Sequence, residues 1–459
     1  MSAGNGLWSL LLAALLLRLF FFQPYYLPPD ALDYLNSWDG LTAGYAPDII
    51  RFVRLGMALP MILLGWLGGG NHLIYYLYIF TTSLGTVWLC HRLALQWGDR
   101  QAALLAGALI ALVPMEVVYG SVLLPDVPLS FFALCAFYLT GKAAERERRG
   151  PLLTFAAGIF IGLAYACKVT GLFFLPSATV QAYWQRRRLL PALALVAGVG
   201  LVIAGEILVL RLWLDEWHVR IAETLGYALG SKGNYAHVDR TLGWWLGQIG
   251  FKLGAMFWGA HLPTTALILV VPHLVLWALW RSRRVVLPAG SWWLLAWGGV
   301  YVGQQLLLST IEQEPRLLQA ALPYCAVLIG LVFASDWQGW HWGWRWAIGV
   351  MATVLAFVGS VAFWGAHAPS AGAVQSLLAE FKGLAKSGEK AVVDSPSDYI
   401  HRLAYYGGLQ TTKWNPAAGP ITHWAFIHNG YTAKSDPVST PADMRMQLDA
   451  KITSPIRPV

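Results

Sequence analysis

The sequence predicts an all-α polytopic membrane protein with a small soluble α/β domain at its C-terminal end. Three observations carry that reading. The chain of 459 residues is 57% hydrophobic and only 12% charged, whereas soluble domains carry about 25% charged residues. Apolar runs of near-membrane length recur from residue 7 to residue 364. Beyond residue 366 those runs stop and the composition turns polar. Helices are the expected spanning element, because each satisfies its own backbone hydrogen bonds in lipid. The short alternating strands of a membrane barrel are not evident.

The first run, about 7–23, lacks a basic leading region and a small-residue cleavage site. It reads as a retained span rather than a signal peptide. Asp30 follows Pro28-Pro29, a good helix start with acid at the N-terminal turn. Arg54–Gly69 is apolar but only 16 residues long, with a central proline and a glycine-rich end. That is short for a span, so it is expected to lie on the outer surface, with a short tilted span as the alternative. Spans are then expected at about 73–95, 101–119, 127–141, 152–167, 169–184, 190–212, 264–280, 290–309, 316–334 and 346–364. With the first, that makes 11.

Basic clusters set the sides. Lys142–Arg149, Arg186–Arg188 and Arg281–Arg284 are separated by even numbers of expected crossings, so all three fall on one face, and cationic loops mark the cytoplasm. The sequence thus agrees with itself about orientation. Residues 1–365 are expected to form the transmembrane domain, with juxtamembrane helices near 30–69 on the outer side. Residues 366–459 are expected to form an outer-face soluble domain, with a helix at Gln375–Lys386 and strands at Ala391–Asp394 and Trp424–Ile427. The net charge of +8 sits in the short clusters and reads as topology information, not as a nucleic-acid footprint. The 24 tryptophans suit interfacial belts. The four cysteines lie inside apolar runs with no CxxC spacing, which supports neither a disulfide framework nor a thiolate metal site.

This topology gathers the polar residues on the outer face: Asp30, Asp33, Arg51, Arg54, Asp126, Lys168, His261, Glu312, Glu314 and Arg316. Ionisable groups near membrane depth are costly and usually have a partner or a task. Acids beside bases suit a site that pairs a general base with an anion contact. Plain alternatives stand beside each. Asp30, Asp33 and Tyr34 share the i, i+3, i+4 spacing of one helix face, which also describes a solvated face. Asp126 is placed to cap a helix, Lys168 to snorkel and Arg316 to anchor at the interface. His261 alone is more often structural.

Four stretches together resemble a family. PDALDYLNSWDGLTAGY is similar to the first outer loop of polyprenyl-phosphate-dependent glycosyltransferases of the C-type (GT-C) fold, among them protein O-mannosyltransferases and the lipid A aminoarabinose transferase. SVLLPDVPLSFFALCAFYL looks like their second acidic motif, GLAYACKVTGLFFLP like their lysine segment, and EPRLLQAALPYCAVLIG like their arginine loop. The resemblance covers roughly residues 7–340, in matching order and sidedness. Two departures stand out: the usual Asp-Glu is Asp30-Ala31 here, and the usual Arg-Tyr is Arg316-Leu317.

The resemblance implies transfer of a sugar from a polyprenyl-phosphate carrier to a lipid, glycan or protein acceptor at the outer face of the cell membrane. Asp30 is then the first choice for the base that takes the acceptor's proton, supported by Asp126 and with Asp33 in reserve. Lys168 and Arg316, with Arg54 third, are the expected contacts to the donor phosphate. A divalent cation stays an option, with Glu312, Glu314 and His261 as weak ligand candidates. The rival class is a transporter or flippase for a lipid-linked substrate, which would place its charges near the midplane of broken helices.

Overall fold

The computed structural model describes residues 3–22, 54–68, 72–146, 148–214, 289–308 and 315–335, and shorter pieces between 31 and 38, 243 and 247, 358 and 361, and 379 and 434. The apolar runs among them are helical. In chain order they are α1 (Ala3–Phe20), α2 (Leu55–Leu67), α3 (Tyr76–Trp97), α4 (Arg100–Leu112), α5 (Pro114–Tyr119), α6 (Asp126–Glu145), α7 (Gly150–Cys167), α8 (Leu175–Arg186), α9 (Leu189–Leu214), α10 (Ala289–Leu308) and α11 (Leu322–Ser335). Four helical stretches among the described residues are long and apolar enough to cross a membrane: Leu73–Trp97, Asp126–Glu145, Gly150–Cys167 and Leu189–Leu212. The expected spans at 264–280 and 346–364 lie outside the described residues.

Two expected spans have a different form. The run at 101–119 is not one helix: α4 stops at Leu112 and α5 restarts at Pro114. Proline has no N–H to give and its ring disfavours helix at the preceding residue, here Val113 with ψ 123°. The run at 169–184 opens as a 3-10 helix, Val169–Phe174, before α8 begins. Two more short 3-10 helices, His72–Tyr75 and Pro315–Ala321, lead into α3 and α11.

Packing follows side-chain size. α6 and α7 form an antiparallel hairpin, and α7 packs along α9. The α7–α9 seam is lined by Gly158 and Gly162 against Leu195, Gly198 and Val202. This is the small-residue spacing that lets helix backbones approach without a hydrophobic drive in lipid. α4 packs against α3 and α11, and α1 against α4. α2 buries Leu55, Met57, Ala58, Met61 and Ile62 but exposes Leu59, Leu63, Trp66 and Leu67, so it has one protein face and one apolar outer face. Its 13 residues make about 20 Å of helix, less than a bilayer core.

The chain divides into two units, Met1–Pro24 with Ile49–Ala366, and Tyr25–Asp48 with His367–Val459. In the second unit Ala31, Tyr34, Leu35 and Trp38 are helical and buried, the i, i+3, i+4, i+7 stripe of one helix face. The later part of that unit holds a four-stranded sheet in the order β2-β1-β3-β4. β1 (Lys390–Asp394) runs parallel to β2 (Thr411–Lys413) and to β3 (Trp424–His428), and β4 (Tyr431–Lys434) closes antiparallel on β3. Ala379, Lys382, Gly383 and Lys386 are helical.

Candidate functional site

Asp126 and Lys168, 42 residues apart in sequence, meet at one end of the α6–α7 hairpin. Lys168 Nζ donates to Asp126 Oδ1 at 2.9 Å, with the two side chains 15% and 5% exposed. Local sequence explains both placements. Pro125 fills the N-cap and Asp126 is the first residue of α6, not its cap. There the helix dipole favours its negative charge. α7 ends at Cys167 because Lys168 is extended, at φ −157° and ψ 135°. The chain then winds back as a 3-10 turn, and a Cβ on Gly171 would collide with the backbone of Ala164 and Tyr165. The Lys-x-x-Gly spacing is therefore steric: only glycine lets the turn fold against the end of α7. The ion pair replaces the snorkelling alternative for Lys168.

Other candidates reach the same end by their backbones. Arg54 is extended and leads into α2. The first turn of α2 presses on the end of α7, where a Cβ on Gly56 would come within 2.6 Å of the Cys167 backbone nitrogen. Tyr78 Oη secures that contact by donating to the Gly56 carbonyl at 2.8 Å. Arg316 lies in the 3-10 helix Pro315–Ala321, which packs against α6 and α10. Asp30, Asp33, His261, Glu312 and Glu314 lie outside the described residues.

One neighbour was not singled out from the sequence. Tyr301 of α10 is buried and stacks on Phe174 at 4.6 Å, and its hydroxyl accepts from Gln305 Nε2 at 3.0 Å. It lies within electrostatic reach of the Asp126 carboxylate. Nothing in its local sequence separates it from the other 18 of the chain's 19 tyrosines.

Among the described residues, no group of three or more His, Cys, Asp or Glu gathers as a metal site. The ammonium of the pair suits an anion. An ammonium has three donors, and the bond to Asp126 uses one of them while fixing the direction of the others.

Residues 61–213 match the family model for dolichyl-phosphate-mannose-protein mannosyltransferases. That stretch contains both Asp126 and Lys168. A search of curated proteins finds no significant match. Among solved structures the chain is similar to ArnT from Cupriavidus metallidurans in the apo state, with 16% identity, a TM-score of 0.61, and coverage of 91% of this chain and 87% of that one. ArnT bound to undecaprenyl phosphate matches at 14% identity, a TM-score of 0.60 and the same coverage. The archaeal oligosaccharyltransferase AglB from Archaeoglobus fulgidus, in complex with an inhibitory peptide and a dolichol-phosphate, matches at 13% identity and a TM-score of 0.51, covering 90% of this chain and 65% of that one. The chain thus has the fold of the GT-C glycosyltransferases, and residues 61–213 carry the sequence pattern of one of their families.

Proposed function

We propose that this chain moves a sugar from a polyprenyl-phosphate donor to a lipid, glycan or protein acceptor at the outer face of the cell membrane. The observation that carries the reading is the partly buried Asp126–Lys168 pair at one end of an apolar helix bundle, within the stretch that matches the mannosyltransferase family. Sidedness has its own support. Arg186 Nη2 bonds to the Ala143 carbonyl, which draws two basic clusters together at the far end of α6. That helix has 20 residues, about 30 Å of length. With cationic loops in the cytoplasm, the Asp126 end faces outward. The reading keeps 11 spans, α2 lying on the outer surface, and an outer α/β domain after residue 366.

In the reaction, the acceptor hydroxyl attacks the sugar's anomeric carbon. The bond from that carbon to the carrier's phosphate oxygen breaks, and its electron pair stays on the phosphate. Lys168, oriented by Asp126, stabilises that growing charge, and Arg316 and Arg54 add cations to the same layer. The acceptor's proton passes to a carboxylate, with Asp30 as the base. The lipid tail needs apolar surface beside the phosphate, which the exposed leucines and Trp66 of α2 supply.

Binding of undecaprenyl phosphate to the purified protein tests the cation assignment. Lys168→Ala is expected to weaken it about tenfold or more, the worth of a charge-assisted contact. Asp126→Asn is expected to weaken it less, by loosening Lys168 without removing the ammonium. Unchanged binding in a folded Lys168→Ala protein would remove Lys168 from the phosphate site.

A further inference from the structure

Arg18 and Glu116 both sit inside apolar runs and both are fully buried. Charge at such depth costs roughly 2.5–3.5 kcal/mol on insertion scales and marks a working residue by default. Neither takes part in the Asp126–Lys168 pair. Glu116 Oε1 accepts from Ser83 Oγ at 2.9 Å, and Oε2 accepts from Gln319 Nε2 at 2.9 Å. Arg18 Nε donates to Ser83 Oγ at 2.7 Å, and Nη1 donates to the carbonyls of Ala14 and Ala111 at 3.1 and 3.2 Å. Arg18 Nη2 lies 3.9 Å from Glu116 Oε1. Ser83 is thus a relay, accepting from the cation and donating to the anion. The network ties α1, α3, α5 and the 3-10 helix Pro315–Ala321 at one point.

Stability alone does not explain a polar knot here, because well-packed apolar residues often replace a buried ion pair at no loss. Its attachments do. Gln319 lies three residues after Arg316 on the same 3-10 helix. Glu116 lies ten residues before Asp126, joined to it by a turn closed through Ser121 N to Val118 O, Val122 N to Tyr119 O and Leu124 N to Val122 O. Gly120 in that turn leaves room for the knot, since a Cβ there would come within 2.7 Å of Ser83 Oγ and 3.2 Å of Arg18 Nε.

We infer that the buried Arg18–Ser83–Glu116–Gln319 network is a positioning latch: it fixes the 3-10 helix bearing Arg316 against the segment bearing Asp126, so that the Arg316 and Lys168 cations meet the same donor phosphate. The inference rests on the phosphate roles proposed above. A 3-10 helix has poor internal hydrogen bonds and takes its place from what grips it. Gln319 is that grip. Hydrogen bonds supply direction where apolar contact would let the helix slide.

Two readouts test it. The first is hydrogen exchange over residues 315–321, with 150–167 as the internal control. Glu116→Gln, which removes the charge, and Gln319→Met, which keeps the volume and removes the donor, should both speed exchange in 315–321 and leave 150–167 unchanged. The second is a double-mutant cycle on the donor KM. Arg316→Ala and Glu116→Gln should each raise it roughly tenfold, and the double variant should raise it little further, because both act on one contact. The kcat for the bound donor should fall less than KM rises. Unchanged exchange in 315–321 overturns the latch. Faster exchange with fully additive KM effects, or with no change in KM for Glu116→Gln, reduces the network to scaffolding and also overturns it. An Arg316→Ala protein with normal donor KM instead overturns the phosphate role of Arg316, while the exchange data still decide whether the network grips the helix.

Discussion

An arginine and a glutamate that share one apolar interior make each other tolerable. Arg18 spends its donors on Ser83 and on the carbonyls of Ala14 and Ala111, and Glu116 spends its oxygens on Ser83 and Gln319. Removing one partner leaves a buried charge without compensation, at about 3–5 kcal/mol. Glu116→Leu should therefore lower the thermal unfolding midpoint in detergent sharply, and the double change Arg18→Met with Glu116→Leu should recover most of that loss. A double variant less stable than Glu116→Leu would show that the pair does not compensate its own burial. Asp126 and Lys168 were legible in the sequence because they stand at the ends of apolar runs beside proline and glycine. Arg18 and Glu116 are not among the residues the sequence singles out, because their meeting depends on the packing of α1 and α3 against the α4–α5 break, which no local pattern encodes. Tyr301 was not legible at all, since its position is set by Phe174 and Gln305 around it.

Among the elements, α7 and α9 were read to within a few residues, because their apolar runs are long and bounded by Arg149, Lys168 and the Arg186–Arg188 cluster. Hydropathy alone makes the run at 101–119 one helix, but Pro114 starts a new one, and beyond the break Glu116 is buried. The 3-10 segments were hidden for a different reason. They share the apolar composition of the spans they join, and hydropathy does not distinguish 3.0 from 3.6 residues per turn. The proposed orientation of these elements predicts a labelling pattern. Single cysteines at positions 30 and 71 should react with a membrane-impermeant maleimide on intact cells, and a cysteine at 148 should react only after permeabilisation. Position 148 reacting from outside would invert the topology, and position 71 reacting without position 30 would break the shared outer face.

For the whole molecule, the fold survives where sequence identity does not: 16% identity accompanies a TM-score of 0.61 to ArnT over most of both chains. In this chain the apolar runs suit a bilayer, and the small-residue seam between α7 and α9 lets the helices pack closely. We propose that one end of this helix bundle transfers a sugar from a polyprenyl-phosphate donor. Its most direct test is transfer by the purified protein in detergent, from a defined polyprenyl-phosphate sugar, with release of the free polyprenyl phosphate as the readout. The wild type should release the carrier in step with sugar transfer. Asp30→Asn should lose about 100- to 10,000-fold of that rate, the usual worth of a general base, while retaining undecaprenyl phosphate binding. Near-normal turnover in Asp30→Asn would remove Asp30 as the base. No acceptor-dependent release of polyprenyl phosphate by the wild type, across polyprenyl-phosphate sugars and lipid, glycan and peptide acceptors, would contradict the account itself.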